Sequence, residues 1–333
     1  MQRHPDHNSV SEYQGGSGVY RVQRAAEPRG TRLQLPAGWR HCRRHTASRD
    51  RLMTIAEKRR TFRALHQTGC FVIPNPWNIG TARYLQGLGF KALATTSAGY
   101  AHSYGYSDGD VTLDMALAHC REIARAADVP VNADFENGYA DDPDEMAANV
   151  RRCIETGVSG LSIEDFTGRD SDPLYDFDLA VKRVRAARDA IDKAGGDVIL
   201  TGRTEGFIRN RPDLDETIRR LKAFADAGAD CLYSPGIKTR EQIAATDKAV
   251  APKPINFLNA GPFGFTVGDL AELGVRRISV GGTLSRVAMH AFIQSAQQIA
   301  KDGKFDSFAG VVSNADLNKF FHEDLRHRRN PEE

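Results

Sequence analysis

Short apolar runs alternate with amphipathic stretches along the chain from residue 71 onward. The apolar runs end in polar residues or glycine, as strands do, and they cover 71–74, 92–96, 129–134, 160–164, 198–203, 231–234, 254–258 and 277–280. Helical periodicity lies between them, at 78–88, 112–127, 143–156, 178–194, 213–227, 239–249, 266–273 and 284–302. The pattern predicts eight strand-then-helix units.

Eight such units in series imply a parallel sheet, and eight parallel strands close naturally into a (β/α)8 TIM barrel. An open doubly wound sheet is the alternative, but no G-x-G-x-x-G follows the first strand. We therefore expect an α/β barrel domain over 53–333. Further apolar residues follow residue 303, and one barrel has little room for them. We expect these extra C-terminal helices to be exchanged between subunits.

The first 52 residues have a different composition. They contain ten arginines, no lysine and four acids, a net +6, so the rest of a chain of net charge +2 carries −4. We expect 1–52 to be a disordered extension, and translation from upstream of a natural start at Met53 would account for it. An organellar transit peptide and a regulatory or nucleic-acid-binding arm are the alternatives.

The remaining composition excludes several classes of protein. The acidic remainder offers no basic face for nucleic acid, and no apolar run reaches the length that spans a membrane. The five cysteines are widely spaced without a C-x-x-C pair, which indicates reduced thiols in a cytoplasmic protein and no zinc site. His66, His119 and His290 fall in helical patterns, and we expect them to be surface or packing residues.

Carboxylates end two neighbouring strands of the predicted barrel. Asp134 and Glu136 close the third strand, and Glu164 closes the fourth. Alternate residues of a strand point to one face, so Asp134 and Glu136 are expected to point the same way. Acids gathered at one barrel mouth repel each other unless a cation lies between them, and carboxylates favour hard cations such as Mg²⁺, with Mn²⁺ possible.

Other strand ends at the same mouth add substrate-binding chemistry. Backbone N–H groups in the predicted turn Ser97-Ala98-Gly99 are able to stabilise an oxyanion, and the forked guanidinium of Arg203 fits a carboxylate. After the seventh strand, Asn256 and Asn259 compete for one position facing the substrate. These residues predict a site for a small carboxylate.

The chain resembles the isocitrate lyase / phosphoenolpyruvate mutase superfamily from about residue 71 to about 300. The segments that carry the resemblance are Ser97-Ala98-Gly99-Tyr100, Asp108, Asp134 to Tyr139 (against D-x-D-x-G-Y), Ile163-Glu164-Asp165, Arg203-Thr204-Glu205, and the late Gly274-Val275 with Arg286-Val287. It implies Mg²⁺ held by Asp134, Glu136, Asp108 and Glu164, catalytic roles for Glu136, Glu164, Arg203 and Tyr100, and a tetramer or dimer with its last helix exchanged.

Departures from the family pattern leave the reaction open. The lyases' K-x-C-G-H loop corresponds to residues 166–176, which contain no Cys, Lys or His. The lyases' glutamate after the sixth strand is replaced within Tyr233-Ser-Pro-Gly236, and the mutase gating loop is missing. For a C–C cleavage that needs a base, Glu136, Glu205 and Tyr100 are all candidates.

Three functions follow from these observations. The first is a Mg²⁺-dependent lyase that cleaves a C–C bond of a small 2-oxo or 2-hydroxy carboxylate, by retro-aldol cleavage or decarboxylation, through an enolpyruvate-like intermediate. The second is a phosphonopyruvate mutase or hydrolase acting on a C–P bond. The third is a catalytically silent barrel used for binding.

Overall fold

The computed structural model describes residues 52–329, together with 14–15 and 18–19. The chain divides into two units, Met1–Arg43 and Arg44–Glu333. In the first unit Gln14–Gly15 pairs antiparallel with Gly18–Val19. The predicted disorder of 1–52 otherwise falls outside the described residues.

The second unit is built on one sheet of eight parallel strands. The strands are β1 (Phe71–Ile73), β2 (Leu93–Ala94), β3 (Val131–Asp134), β4 (Gly160–Glu164), β5 (Ile199–Arg203), β6 (Cys231–Tyr233), β7 (Ile255–Leu258) and β8 (Arg277–Ser279). Neighbours in sequence are neighbours in the sheet, and β8 pairs with β1. Between β1 and β2 the N–H of Ala94 donates to the carbonyl of Pro74 at 3.1 Å, which nearly closes the ring. The predicted TIM barrel is confirmed.

Helices surround the barrel. They are α1 (Ile55–Leu65), α2 (Ile79–Gly87), α3 (Ser97–Ser103), α4 (Leu113–Ala126), α5 (Pro143–Ile154), α6 (Phe177–Lys193), α7 (Leu214–Asp226), α8 (Arg240–Val250), α9 (Val267–Glu272), α10 (Thr283–Asp302) and α11 (Asn314–Arg329). The interpretation of 97–100 as a turn was wrong. Thr96 accepts a hydrogen bond from the N–H of Gly99 through its side chain and so starts a helix there.

Helix α1 covers the N-terminal end of the barrel. It begins with a capping box in which Thr54 and Glu57 satisfy each other's backbone N–H groups. Its Phe62 is fully buried in a cluster with Phe71 and Ile73 of β1. The ammonium of Lys58 donates to the carbonyls at the end of α4, which ties the two helices together. The barrel is therefore closed at this end and open at the other.

The outer face of the barrel strands is apolar, whereas the inner face carries polar side chains. On β4, Leu161 and Ile163 point outward into the hydrophobic layer under the helices, whereas Ser162 lines a cavity inside the barrel. The other polar residues inside include Asn132, Thr201, Asn256 and Arg277, all buried. Barrel interiors are usually filled by branched apolar side chains. Here a polar interior lies directly beneath the mouth.

The C-terminal helices differ from each other in packing. Helix α10 buries none of its residues within the chain, although Val287 and Phe292 on it are large and apolar. Helix α11 packs on α2 of its own chain, where the ring of Phe320 lies 5.0 Å from that of Tyr84. Helix α11 therefore has contacts within its own chain. Exchange of the C-terminal helices between subunits stays a prediction.

Among residues 52–329 the structure contains no helix that is both long and apolar enough to cross a membrane. The four cysteines in that range, Cys70, Cys120, Cys153 and Cys231, carry free thiols. Cys42 lies outside the described residues.

Candidate active site

A cavity of about 150 Å³ occupies the barrel axis and opens at the C-terminal ends of the strands. Ser97, Ala98 and Asp108 lie at its mouth, with Asp134 and Arg203 just inside. With Asn256 of β7, six of the residues predicted from strand ends and the family motifs therefore share one cavity.

Asp134 ends β3 and is held from two sides. Its backbone N–H donates to Thr95 Oγ1 at 2.8 Å. One carboxylate oxygen, Oδ2, accepts from the N–H and the hydroxyl of Ser97, at 3.1 and 3.2 Å. The other oxygen, Oδ1, accepts from Arg203 at 3.1 Å. The first residue of α3 is thus tied to the end of β3.

Arg203 ends β5 and lies among three carboxylates. It contacts Asp134 at 3.1 Å, Glu164 at 3.2 Å and Glu205 at 2.5 Å. The guanidinium also lies 5.0 Å from the ring centre of Tyr233. The guanidinium of Arg203 is therefore shared by three carboxylates, one of which, Glu205, also lies 3.4 Å from Arg209.

Glu136 lies beyond the end of β3, so the argument from strand alternation was wrong for it. Its φ of 47° places it in the left-handed region, which turns the chain away from the strand direction. Its side chain accepts a hydrogen bond from Tyr139 Oη at 2.8 Å. Burial raises the pKa of Glu136 to about 7, although the hydrogen bond from Tyr139 lowers it, and nearby Asp134 adds to the rise. The charges of Asp134, Asp108 and Arg203 therefore act on Glu136. Glu136 itself is not part of the cavity wall.

Glu164 is buried at the end of β4, between β3 and β5. Burial raises the pKa of this carboxyl, while the ion pair with Arg203 opposes the rise and Glu205 reinforces it. Its N–H donates to the carbonyl of Glu136 at 3.0 Å, which links the two predicted acids through the backbone.

Asp165 is buried directly after the end of β4 and has a structural role. Its carboxylate accepts from the hydroxyl of Thr204 at 2.7 Å and the N–H of Glu205 at 2.8 Å, and pairs with Arg220 at 3.1 Å. These bonds fix the chain directly after Arg203.

Two of the three predicted oxyanion-binding N–H groups are already hydrogen-bonded within the protein. The N–H of Ser97 bonds to Asp134, and that of Gly99 donates to Thr96 Oγ1 at 3.3 Å. A Cβ at Gly99 would lie 2.7 Å from Thr96 Cγ2, so only glycine fits this close packing. Ala98 lines the cavity.

Tyr100 lies apart from the other predicted catalytic residues. Its ring stacks on that of His119 at 4.0 Å and belongs to an apolar cluster with Val111 and Ala116. It is absent from the cavity wall. The packing therefore indicates that Tyr100 holds α3 against α4.

Of the two asparagines, Asn256 lies in the cavity wall and Asn259 does not. Asn256 donates to Ser279 Oγ at 2.9 Å and accepts from Arg277 Nε at 2.8 Å. Asn259 follows the end of β7, and its N–H donates to the carbonyl of Ser279 at 2.9 Å. The geometry favours Asn256 as the residue that faces a ligand.

Sequence reasoning missed Tyr233 and Arg277, both of which line the cavity. Tyr233 was considered only as part of the segment after β6, and burial raises the pKa of its phenol. Arg277 is the first residue of β8. An arginine within a predicted barrel strand was the available signal, because such a position is normally apolar.

The carboxylates at the cavity mouth suit a divalent cation. Among residues 52–329, no three His, Cys, Asp or Glu side chains are arranged as a ready-made metal cage. Mg²⁺, however, usually takes only one or two carboxylates and completes its shell with water and substrate oxygens. Asp134, with Asp108 beside it, fits that requirement. Burial raises the pKa values of Glu136 and Glu164, and the neighbouring carboxylates add to the rise.

Comparison with known proteins identifies the family. The model of the phosphoenolpyruvate phosphomutase family matches residues 62–300. A crystal structure from Burkholderia cenocepacia, named as a candidate lyase/mutase, is 45% identical with a TM-score of 0.77, covering 80% of this chain and 96% of that one. The oxaloacetate decarboxylase of Paraburkholderia xenovorans is 31% identical over 73% of this chain and 82% of that protein.

The chain belongs to the phosphoenolpyruvate phosphomutase family. The resemblance drawn from the motifs is thereby confirmed, and the chain is an enzyme of the isocitrate lyase / phosphoenolpyruvate mutase superfamily. A phosphonopyruvate hydrolase of the same superfamily, solved with oxalate and Mg²⁺, is 25% identical with a TM-score of 0.72, covering 83% of this chain and 98% of that one.

The loop after β4 covers residues 166–176, which contain no Cys, Lys or His. Here Phe166 bridges to Leu174 as a short antiparallel pair, and Thr167 accepts the N–H of Arg169 at 3.1 Å. Arg169 of this loop pairs with Asp141 at 2.8 Å on the surface.

Proposed function

We propose that this enzyme is a Mg²⁺-dependent lyase that cleaves a C–C bond in a small 2-oxo or 2-hydroxy carboxylate through an enolpyruvate-like intermediate. The observation that carries the proposal is the meeting of Asp134, Arg203 and Ser97 in one cavity at the barrel mouth. Cleavage next to a 2-oxo acid needs an electron sink and an anchor for the carboxylate, and these residues supply the anchor and the cation ligands.

Asp134, with Asp108, Glu136 and Glu164 nearby, would hold the divalent cation. When bound, Mg²⁺ supplies Lewis-acid stabilisation of negative charge that develops on substrate oxygens. Arg203 is oriented by Glu164 and Glu205, so its fork is preorganised towards the cavity. Ser97 contributes a hydroxyl and an N–H beside Asp134.

Glu136 is the acid–base candidate that the packing favours. Glu205 is fully buried, with one oxygen on Arg203 and the other 3.4 Å from Arg209. Tyr100 is stacked against His119 in an apolar cluster. The hydrogen bond from Tyr139 engages one oxygen of Glu136, Oε1, and leaves the second for a proton transfer.

We further propose that the enzyme is a cytoplasmic homo-oligomer, a tetramer or dimer, in which α10 packs against a neighbouring copy. The support is the absence of any buried residue on this long helix, with Val287 61% exposed and Phe292 66% exposed. The exposed apolar side chains follow one another along the helix, and such a contiguous patch marks an interaction site; they are Leu284, Val287, Met289, Phe292 and Ile293.

The decisive experiment incubates the purified full chain with oxaloacetate and with substituted malates, with and without Mg²⁺, and follows pyruvate or 2-oxo acid release. A separate readout is the melting temperature with Mg²⁺ plus oxalate, which mimics an enolate. Asp134→Asn should lose both turnover and the stabilisation by Mg²⁺ plus oxalate, whereas Asp141→Asn, a surface acid paired with Arg169, should keep them. Absence of both effects in the natural sequence would favour a catalytically silent barrel instead.

A second candidate keeps the site and changes the bond. The match to the phosphoenolpyruvate phosphomutase family and the likeness to a phosphonopyruvate hydrolase favour C–P chemistry on phosphonopyruvate. Phosphorus NMR of phosphonopyruvate incubated with the enzyme and Mg²⁺ separates the two, since a new phosphate ester or free phosphate signal would identify C–P cleavage.

A further inference from the structure

We propose that Arg277 forms a second anion-binding subsite at the closed end of the cavity, which takes a carboxylate of the substrate. The proposal rests on the proposed function for the identity of the substrate, and on the geometry for the site itself. Arg277 begins β8, level with Asn256 near the start of β7, and so lies deeper in the barrel than Asp134 and Arg203, which end their strands.

Among the described residues, every hydrogen-bond partner of Arg277 is uncharged. Its Nε donates to Asn256 Oδ1 at 2.8 Å, and its Nη2 donates to Thr201 Oγ1 at 3.1 Å. Its Nη1 lies 3.3 Å from Nε2 of His66, which belongs to α1 below the barrel. In the part of the chain that the structure describes, no carboxylate lies within ion-pair distance of this arginine.

His66 does not supply the missing negative charge. Its Nδ1 lies 2.8 Å from the carbonyl of Phe62, so Nδ1 carries the proton and Nε2 accepts from Arg277. Burial, and then the charge of Arg277, lower the pKa of His66 to about 3, which keeps the ring neutral at ordinary pH. His66 therefore orients the guanidinium without neutralising it.

The contrast with Arg203 identifies what is missing. Arg203 contacts three carboxylates, whereas Arg277, only 3% exposed, contacts none among the described residues. A buried guanidinium stays protonated, and a buried charge is costly without a counter-charge. An anion in the cavity next to Arg277 would supply it.

The neighbouring wall suits a small oxyanion. A guanidinium has five N–H donors, and the three contacts of Arg277 leave donors to spare. The hydroxyl of Ser279 lies in the same wall. A carboxylate matches the forked donors of arginine in shape and charge. The two arginines would then bind different parts of one ligand in the same cavity.

The test uses thermal unfolding of the full chain without Mg²⁺, in sodium formate or in sodium gluconate of equal ionic strength. Formate is small enough for the cavity and gluconate is not. We expect formate to raise the melting temperature by about 2 °C or more. Arg277→Met should abolish the difference, and Arg276→Met, the adjacent arginine on the outer face, should keep it. Equal melting temperatures in the two salts, or an undiminished formate effect in Arg277→Met, would overturn the subsite.

Kinetics on an active substrate distinguish the substrate's carboxylate from a free anion. If the carboxylate occupies the subsite, Arg277→Met should raise KM about tenfold or more with a smaller change in kcat, and formate should compete with substrate only in the natural sequence. If Arg277→Met has an unchanged KM while formate still stabilises the natural sequence, the subsite binds a free anion and not the carboxylate of the substrate. If the proposed function is wrong, the natural sequence will show no turnover of these substrates. The effect of formate on the melting temperature would still test the anion subsite.

Crystals of the natural sequence soaked in sodium bromide cover the case in which Arg277→Met does not fold. Anomalous scattering should place bromide against the Arg277 guanidinium. Bromide found only on the protein surface would refute the subsite.

Discussion

Arg203 Nη1 lies 3.1 Å from Asp134 Oδ1, which joins the ends of β5 and β3 across the end of β4. Glu164 of β4 lies between these two strands and contacts the same guanidinium at 3.2 Å. The presumed carboxylate anchor and the presumed cation ligand are thus one hydrogen bond apart. A substrate carboxylate that binds Arg203 therefore lies beside Asp134.

Two substitutions of Arg203 distinguish the role of its positive charge from the role of its bidentate hydrogen bonding. Arg203→Lys keeps a cation among the acids, so we expect folding to survive while kcat/KM falls about 100-fold, since the bidentate grip is lost. Arg203→Met leaves the surrounding carboxylates unpaired and should cost about 3–5 kcal/mol in the free energy of unfolding. Steady-state kinetics and urea unfolding measure the two effects. Full activity of Arg203→Lys would remove Arg203 from substrate binding.

Gly138 shapes the loop that carries Glu136. Its φ is +76°, and a Cβ there would lie 2.5 Å from Met146 Cγ. Gly138→Ala should therefore cost about 2–4 kcal/mol, the sum of backbone strain and overpacking. Gly168 is the matched control, because it has a φ of +78° with nothing within 4 Å of the added Cβ. Gly168→Ala should cost only about 1 kcal/mol by urea unfolding. Equal losses in the free energy of unfolding for the two variants would show that Met146 moves aside without an energetic penalty.

His119 makes stability depend on pH. Burial lowers the pKa of its ring to about 4, and neither ring nitrogen has a hydrogen-bond partner among the described residues. Between pH 6.5 and about 4 the unfolded chain takes up a proton that the folded chain does not, so stability is lost as pH falls through this window. His119→Phe keeps the stack on Tyr100 and should remove on the order of 2 kcal/mol of that loss, as measured by urea unfolding at pH 7.5 and pH 5. An unchanged pH dependence would show that His119 is protonated in the folded state.

The exposed face of α10 predicts the behaviour of the chain in solution. Phe292→Lys should shift a tetramer or dimer towards monomer in size-exclusion chromatography with light scattering, because a lysine cannot be buried there without a partner. Leu88→Lys is the control, since Leu88 is 47% exposed at the end of α2. Retention of the full assembly by Phe292→Lys would place the interface elsewhere.

The barrel could be predicted because each strand-helix unit is a local pattern. All eight strands begin and end within two residues of their predicted bounds. The meeting of Asp134, Glu164 and Arg203 also follows from the sequence, since parallel strands bring their carboxyl ends to one edge. The family motifs located the same residues independently.

The sequence by itself thus determined the architecture, the mouth at which the polar residues gather and the residues that end β3, β4 and β5. Only the tertiary structure decided where individual side chains go once a strand has ended. Glu136 turns out of the strand direction at a φ of 47°, and Tyr100 points into an apolar cluster because 97–103 forms a helix. Closure of the barrel likewise placed Asn256 in the cavity and enclosed Arg277 with uncharged partners. Those outcomes depend on contacts between residues far apart in the chain, which no local pattern records.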